Sequence, residues 1–176
     1  MATTKWALDP THSEIHFKVK HLMITTVTGS FNSFTAAAET ETDDFSGAKI
    51  SFSADTASVD TGNEQRDGHL KSADFFDAEK FPQMSFTSTG YSKKGDDYVL
   101  TGDLTIKDVT KPVTLNVEFG GVAKDPWGNT KAGFTLAGKI NRKDFGLNWN
   151  AVTEAGGVLV SEEVKILAEI QLTQQA

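Results

Sequence analysis

The sequence predicts an all-β fold of about eight antiparallel strands with one short helix set among them. Two patterns carry that prediction. Apolar residues recur at every second position in run after run, as strands with one buried face require, and turn residues separate the runs. Against this background only residues 60 to 77, DTGNEQRDGHLKSADFFD, read as helix.

In the first run Ile15, Phe17 and Val19 alternate with His16, Lys18 and Lys20. Val27, Gly29 and Phe31 continue the alternation after a short break, and Ile50, Phe52 and Ala54 repeat it beyond the acidic turn Asp43-Asp44. Met84, Phe86 and Ser88 follow Pro82. Tyr98, Leu100, Gly102, Leu104 and Ile106 make a long run after Lys93-Lys94-Gly95-Asp96-Asp97, which is a hairpin signal. Val113, Leu115, Val117 and Phe119 form the next strand, and Phe134, Leu136, Gly138 and Ile140 another. Asp125-Pro126-Trp127-Gly128-Asn129 is the long turn between them. Val164, Ile166, Ala168, Ile170 and Leu172 close the chain.

Eight is the strand number at which a closed antiparallel barrel can hold one small ligand, as lipocalins do, although a sandwich uses the same pattern. Gly29, Gly102 and Gly138 lie inside strand runs. Glycines there permit strong bending or leave room for something that is not protein, which favours a barrel with a hole; ordinary bulges account for them equally well.

The helical segment reads as a lid. Thr61 and Glu64 have capping-box spacing, so a helix can start there. After Leu70 and Lys71 the rings of Phe75 and Phe76 arrive between Asp74 and Asp77, and rings on so polar a segment need a cavity or core to enter.

The 176 residues fit one domain, residues 1–176, long enough to bury a real core. A net charge of −7 argues against nucleic acid and anionic membrane surfaces as electrostatic partners. Cysteine is absent, which excludes disulfides, thiolate nucleophiles, iron–sulfur clusters and thiolate zinc sites. MATTKWALDP has no apolar run of the secretory kind, so the expected compartment is the cytoplasm, or the periplasm if a leader has been removed. No apolar stretch reaches the roughly 18 residues of a spanning helix, so stable membrane insertion is not expected. Twelve Phe against two Tyr make an interior rich in rings without a polar handle, which suits a greasy pocket or a plain core.

The histidines, at positions 12, 16, 21 and 69, raise the question of a metal site or a general base. A metal wants three or four converging ligands. His16 falls on the polar parity of its strand and His21 on the apolar parity of Ile15, Phe17 and Val19, so the two point to opposite faces. His12, after Asp9-Pro10-Thr11, reads as a hydrogen-bonding residue at the start of a strand, and no metal site is assigned. Arg66, Asp67 and His69 could form an acid–base group. Adjacent helical residues do not face one another, however, and Arg66 and Asp67 more simply tie the lid to neighbouring turns. No nucleophile elbow, phosphate loop or dinucleotide fingerprint occurs, so no catalytic residue is assigned and the chain reads as a non-enzyme.

Trp6-Ala7-Leu8-Asp9, His12-Ser13-Glu14-Ile15, Val19-Lys20-His21-Leu22 and Gly29-Ser30-Phe31, followed by the lid segment, resemble the YceI-like proteins, also called the polyisoprenoid-binding family. The likeness continues through residues 104–113, LTIKDVTKPV, Arg142-Lys143-Asp144-Phe145-Gly146 and Ser161-Glu162-Glu163-Val164-Lys165-Ile166, and so runs almost end to end. The resemblance implies an extended lipocalin-like antiparallel barrel whose apolar interior takes up a polyisoprenoid or another long-chain, fatty-acid-like lipid. It implies no covalent chemistry and no cofactor. On that reading Phe17, Val19, His21, Phe31, Ile50, Phe52, Phe86, Leu104, Leu115, Phe134 and Ile140 line a slot, and Leu70, Phe75 and Phe76 gate it. Strands of about ten residues tilted by about 40° give an interior roughly 25 Å tall.

The function implied is bacterial isoprenoid transport, storage or sequestration. Two other readings stand beside it: an enzyme acting on a lipid or isoprenoid in the same pocket, with His21 or His69 as base, and a stress or interaction protein whose barrel is filled by side chains. The family hairpin often has Gly where this chain has Asp108, and Asp tolerates left-handed turn geometry. A symmetric homodimer is open to an acidic protein with unpaired edge segments.

Overall fold

The computed structural model describes residues 3–41, 45–149 and 159–175. They form one antiparallel sheet that closes on itself. Its strands are β1 (Thr4–Leu8), β2 (Glu14–His21), β3 (Thr25–Phe31), β4 (Phe34–Thr40), β5 (Lys49–Asp55), β6 (Val59–Asp60), β7 (Gln83–Lys94), β8 (Asp97–Ile106), β9 (Val109–Lys124), β10 (Thr130–Asn141) and β11 (Glu163–Gln174).

These segments make eight staves, because the first three staves are each broken once. β1 and β2 lie end to end along β11, with Leu8 opposite Leu172 and Glu14 opposite Glu169. β4 and β3 pair with them in turn, Trp6 opposite Ala38 and His21 opposite Thr25. β5 and β6 make the third stave, Ala54 opposite Phe34 and Val59 opposite Phe31. From β7 to β11 the chain runs as simple hairpins, and β11 returns to β1, closing the barrel; β6 and the first part of β3 are paired on one side only. A sandwich is thereby ruled out.

The first break is held by side chains. The Asp9 carboxylate accepts from the Thr11 amide and hydroxyl, lies 2.9 Å from His12 Nδ1, and accepts from Lys131 Nζ on β10 at 2.9 Å. Ser13 Oγ accepts the Gln171 amide at 3.0 Å, pinning the restart of the stave to β11. His12 is thus the hydrogen-bonding residue the sequence suggests. β1 and β4 are absent from the alternation read in the sequence. β1 is short, and β4 turns Ala36 and Ala38 inward, too small to register as an apolar run.

The one α-helix among the described residues, α1 (Glu64–Lys71), connects β6 to β7. Its cap differs from the expected Thr61/Glu64 box: Asn63 is the N-cap, its side-chain oxygen accepting the Arg66 amide at 2.9 Å. Gly62, at φ +79°, turns the chain so that Asn63 rather than Thr61 reaches the first turn. Thr61 instead donates its amide and hydroxyl to Asp67, while Arg66 Nη2 donates to the Thr61 carbonyl at 2.8 Å. Arg66 and Asp67 therefore clamp the helix to the preceding turn. The expectation for Asp108 also shifts by one residue: the left-handed position of that hairpin is Lys107, at φ +59°.

The connections β2–β3, β6–β7 with α1, β8–β9 and β10–β11 gather at one end of the barrel. The opposite end holds residues 45–48 and the β7–β8 and β9–β10 turns. Rings plug this second end. Phe45, 1% exposed, folds inward with ring centroids 5.0 Å from Trp6 and from Phe134 and 5.6 Å from Phe119. Tyr91 stacks on Tyr98 beside it at 4.9 Å.

Candidate functional site

Above this plug the barrel encloses a cavity of about 580 Å³. Period-two alternation builds its wall, since one parity of every strand points inward. Ile15, Phe17 and Val19 come from β2, Val27 and Phe31 from β3, Ile50 and Phe52 from β5, and Met84 and Phe86 from β7. Leu100, Leu104 and Ile106 follow from β8, Val113, Leu115 and Val117 from β9, Phe134, Leu136 and Ile140 from β10, and Val164, Ile166 and Ile170 from β11. Every side chain assigned to the slot from sequence, His21 included, lies on this wall, and Leu70, Phe75 and Phe76 cover it from the helix side.

The in-strand glycines play a different part from the one expected. A Cβ on Gly29 would stand 2.3 Å from the Phe17 ring, one on Gly102 2.4 Å from the Phe86 ring, and one on Gly138 2.3 Å from Leu115 Cδ2. The room these glycines leave is filled by neighbouring side chains, not by a ligand. Its effect is to let Phe17, Phe86 and Leu115 lie sideways against the wall, and large side chains flattened in this way leave the lumen open.

Asn63, the N-cap of α1, Gln65 and Arg66 within it, and Lys20 and His21 of β2 line the cavity and are also exposed. The cavity therefore reaches the surface between the helix and the end of β2. Just inside, the His69 ring packs edge-on against Phe75 at 5.1 Å and Trp149 at 4.6 Å, and its Nε2 lies 2.8 Å from Asp74 Oδ2. Phe76 meets Phe31 of the wall edge-to-face at 5.5 Å. The carboxylate partner of His69 is thus Asp74. Asp67 is committed to Thr61, and Arg66, Asp67 and His69 form no relay.

Arg142, 2% exposed, sits at the top of the wall. Its Nε donates to the Ser161 carbonyl at 2.9 Å, Nη1 to those of Leu147 and Trp149, and Nη2 to that of Val160 at 3.3 Å. Burial pulls its pKa below the ordinary arginine value, with the Glu162 charge opposing. The guanidinium fork gathers two distant segments into one rim. The sequence reading passed over Arg142 and Trp149 as mouth residues, because neither lies on an alternating run; Arg142 stood out only as part of Arg142-Lys143-Asp144-Phe145-Gly146.

His16 Nε2 pairs with Glu14 at 3.2 Å, and among the described residues no three His, Asp or Glu side chains converge as a metal-binding set. No helix among them is long and apolar enough to cross a membrane.

The family described as YceI-like domain matches residues 6–172. A UPF0312 protein of Staphylococcus aureus is 39% identical over 171 residues, spanning 97% of this chain and 98% of its own. Among solved structures, the Campylobacter jejuni YCEI protein superimposes with a TM-score of 0.75 at 36% identity, covering 90% of this chain and 91% of its own. A polyisoprenoid binding domain from Saccharophagus degradans shares the fold at a TM-score of 0.68 and 16% identity, over 97% of this chain and 98% of its own.

Proposed function

The chain belongs to the YceI-like family, and from that premise we propose that its barrel binds a polyisoprenoid or another long-chain amphipathic lipid, tail inward, for carriage, storage or sequestration. The observation that carries this reading is the apolar lumen of about 580 Å³, walled by every stave, plugged by rings at one end and open beside α1 at the other. A barrel filled by its own side chains has no such space. The Saccharophagus degradans domain of the same fold, named for polyisoprenoid binding, points the same way.

At about 30 Å³ for each water-sized group, the lumen takes about twenty methylene-sized units. Burial at about 0.8 kcal/mol per methylene gives nominally about 16 kcal/mol, near the ceiling of non-covalent affinity. Ordering a flexible tail removes much of that gain, so a releasable complex is within reach. Release requires the mouth to open, and the cluster of Phe75, Phe76, His69 and Trp149 is the part that must move. The family and the fold relatives support a binding protein rather than an enzyme, and the packing of His69 edge-on against Phe75 and Trp149, with Asp74 as its partner, supports reading it as part of the lid.

Native mass spectrometry of gently purified protein tests the reading. The expected result is an adduct of long-chain lipid mass, lost faster from the Phe75→Ala/Phe76→Ala variant than from the wild type. Protein that emerges free of adduct and takes up no long-chain prenol or fatty acid would remove the carrier function.

A further inference from the structure

A second surface lies on the outside of the barrel beside the mouth. β2 and β3 are joined through Leu22 and Met23, at φ +54° and +60°, and the turn is closed by the Ile24 amide donating to the His21 carbonyl at 3.1 Å. Consecutive left-handed residues closed by such a bond make a type I′ turn, here within the three residues that separate the paired His21 and Thr25, and its central positions favour Asn and Gly. Bulky side chains there strain the backbone. This turn nevertheless presents apolar side chains, with Leu22, Met23 and Ile24 exposed by 39%, 58% and 76%. Strain kept in place by apolar side chains this exposed points to a use outside the chain. The tip also adjoins the lipid path. The Leu22 amide donates to the Leu159 carbonyl at 2.8 Å and His21 bridges to Val160, and His21, Leu159 and Val160 all line the cavity.

Behind the tip, on the outer face of the same wall, Lys18 stands directly opposite Lys165, which stands directly opposite Lys139. Like charges in direct cross-strand register are unfavourable. Lys139 finds only an exposed Glu163 carboxylate at 3.7 Å, and among the described residues Lys18 and Lys165 form no ion pair. Lys20 adds a further exposed cation toward the tip. Glu14 and Glu169 face each other farther down the wall, and Glu64, Asp67 and Asp74 lie on the helix side of the mouth. The net charge of −7 is therefore spread unevenly, and one flank of the mouth is basic.

We propose that the Leu22-Met23-Ile24 tip and the Lys18–Lys165–Lys139 row form a docking surface for an anionic lipid bilayer. The tip enters the headgroup layer, the ammonium groups contact lipid phosphates, and the mouth is held against the membrane. A second copy of the chain fits this surface poorly, because a two-fold contact would set the lysine row against itself. The docking surface rests on exposure, backbone geometry and charge; its use in loading rests in addition on the lipid-binding reading.

Flotation of the full chain with vesicles of phosphatidylcholine, alone or mixed with phosphatidylglycerol, tests it. Wild-type protein is expected on the anionic vesicles only, with binding that weakens as salt rises. At about fivefold per lysine near a charged surface, Lys18→Gln with Lys165→Gln should weaken binding by more than about tenfold. Leu22→Asn with Met23→Gly suits the turn better, so it should raise the melting temperature while lowering vesicle binding, a pair of opposite changes that misfolding cannot mimic. Equal binding to both vesicle types, binding unchanged in either variant, or a concentration-dependent dimer that those variants abolish would overturn the proposal. A lipid adduct in mass spectrometry without flotation would overturn docking alone and leave the carrier reading standing.

Discussion

Asp9 holds the broken first stave to the barrel, and its electrostatics give that role a pH signature. The Thr11 hydroxyl first, then Lys131 and His12, keep its carboxyl well below the usual carboxylate range, against the opposing effect of burial. A folded-state pKa below the unfolded value of about 3.9 supplies stability that is fully present above that value and drains away as the pH falls toward the folded one. Asp9→Asn is therefore expected to lower the urea midpoint at neutral pH, with the gap from wild type widest above about pH 5 and narrowing steadily in acid. Urea titrations across that range check it, and a gap independent of pH would assign the effect to hydrogen-bond geometry alone. In the sequence Asp9 and Arg142 are visible only as members of motifs. The partner of Asp9, Lys131, is 122 residues away, and the Ser161 and Val160 carbonyls that Arg142 gathers are 19 and 18 residues away. No local pattern encodes such pairings, whereas His12 was legible because its partner Asp9 lies within one turn.

Strands were legible wherever the inward residues are large, because alternation is a direct consequence of the pleat. Where β4 turns alanines inward the same geometry left no signal. The in-strand glycines stood out at once, but their meaning depends on a neighbour across the sheet that a linear reading does not supply. That neighbour makes two glycines behave differently. At Gly102 an added methyl would also lie 2.6 Å from the Thr87 carbonyl oxygen, which the β7–β8 ladder holds in place. Gly102→Ala should therefore cost about 1–3 kcal/mol of stability, as overpacking does. At Gly29 the methyl meets only the outer ring atoms of Phe17, which can swing into the lumen. Gly29→Ala should accordingly fold with a near-normal melting temperature but bind a long-chain lipid more weakly. Thermal melts set beside lipid titrations separate the two, and equal losses of stability in both variants would refute the idea that these glycines keep the lumen open by flattening its rings.

For the molecule as a whole the decisive quantity is the void, which alternation alone could not distinguish from a solid core of phenyl rings. Period two says which residues face inward, not whether they meet. A lumen of about 580 Å³ that opens beside α1 leaves its apolar wall facing water when no ligand fills it, and apolar surface facing water is unfavourable. An evacuated barrel is thus an unfavourable resting state, because its lining lacks contact atoms on one side. Occupancy and stability are consequently coupled: a ligand present at about a hundred times its Kd adds about 2.7 kcal/mol, or roughly 5–10 °C in Tm for a chain of this size. Solvent-extracted protein should melt lower than protein as purified, and a long-chain prenol added back should restore the difference. Hydrogen exchange should localise the loosening to β2, β3 and α1, which form the mouth, and leave β8, β9 and β10 protected where they carry the ring plug. Identical melting curves before and after extraction would mean that the wall closes on itself when emptied, and the lumen would then no longer explain what the barrel is for.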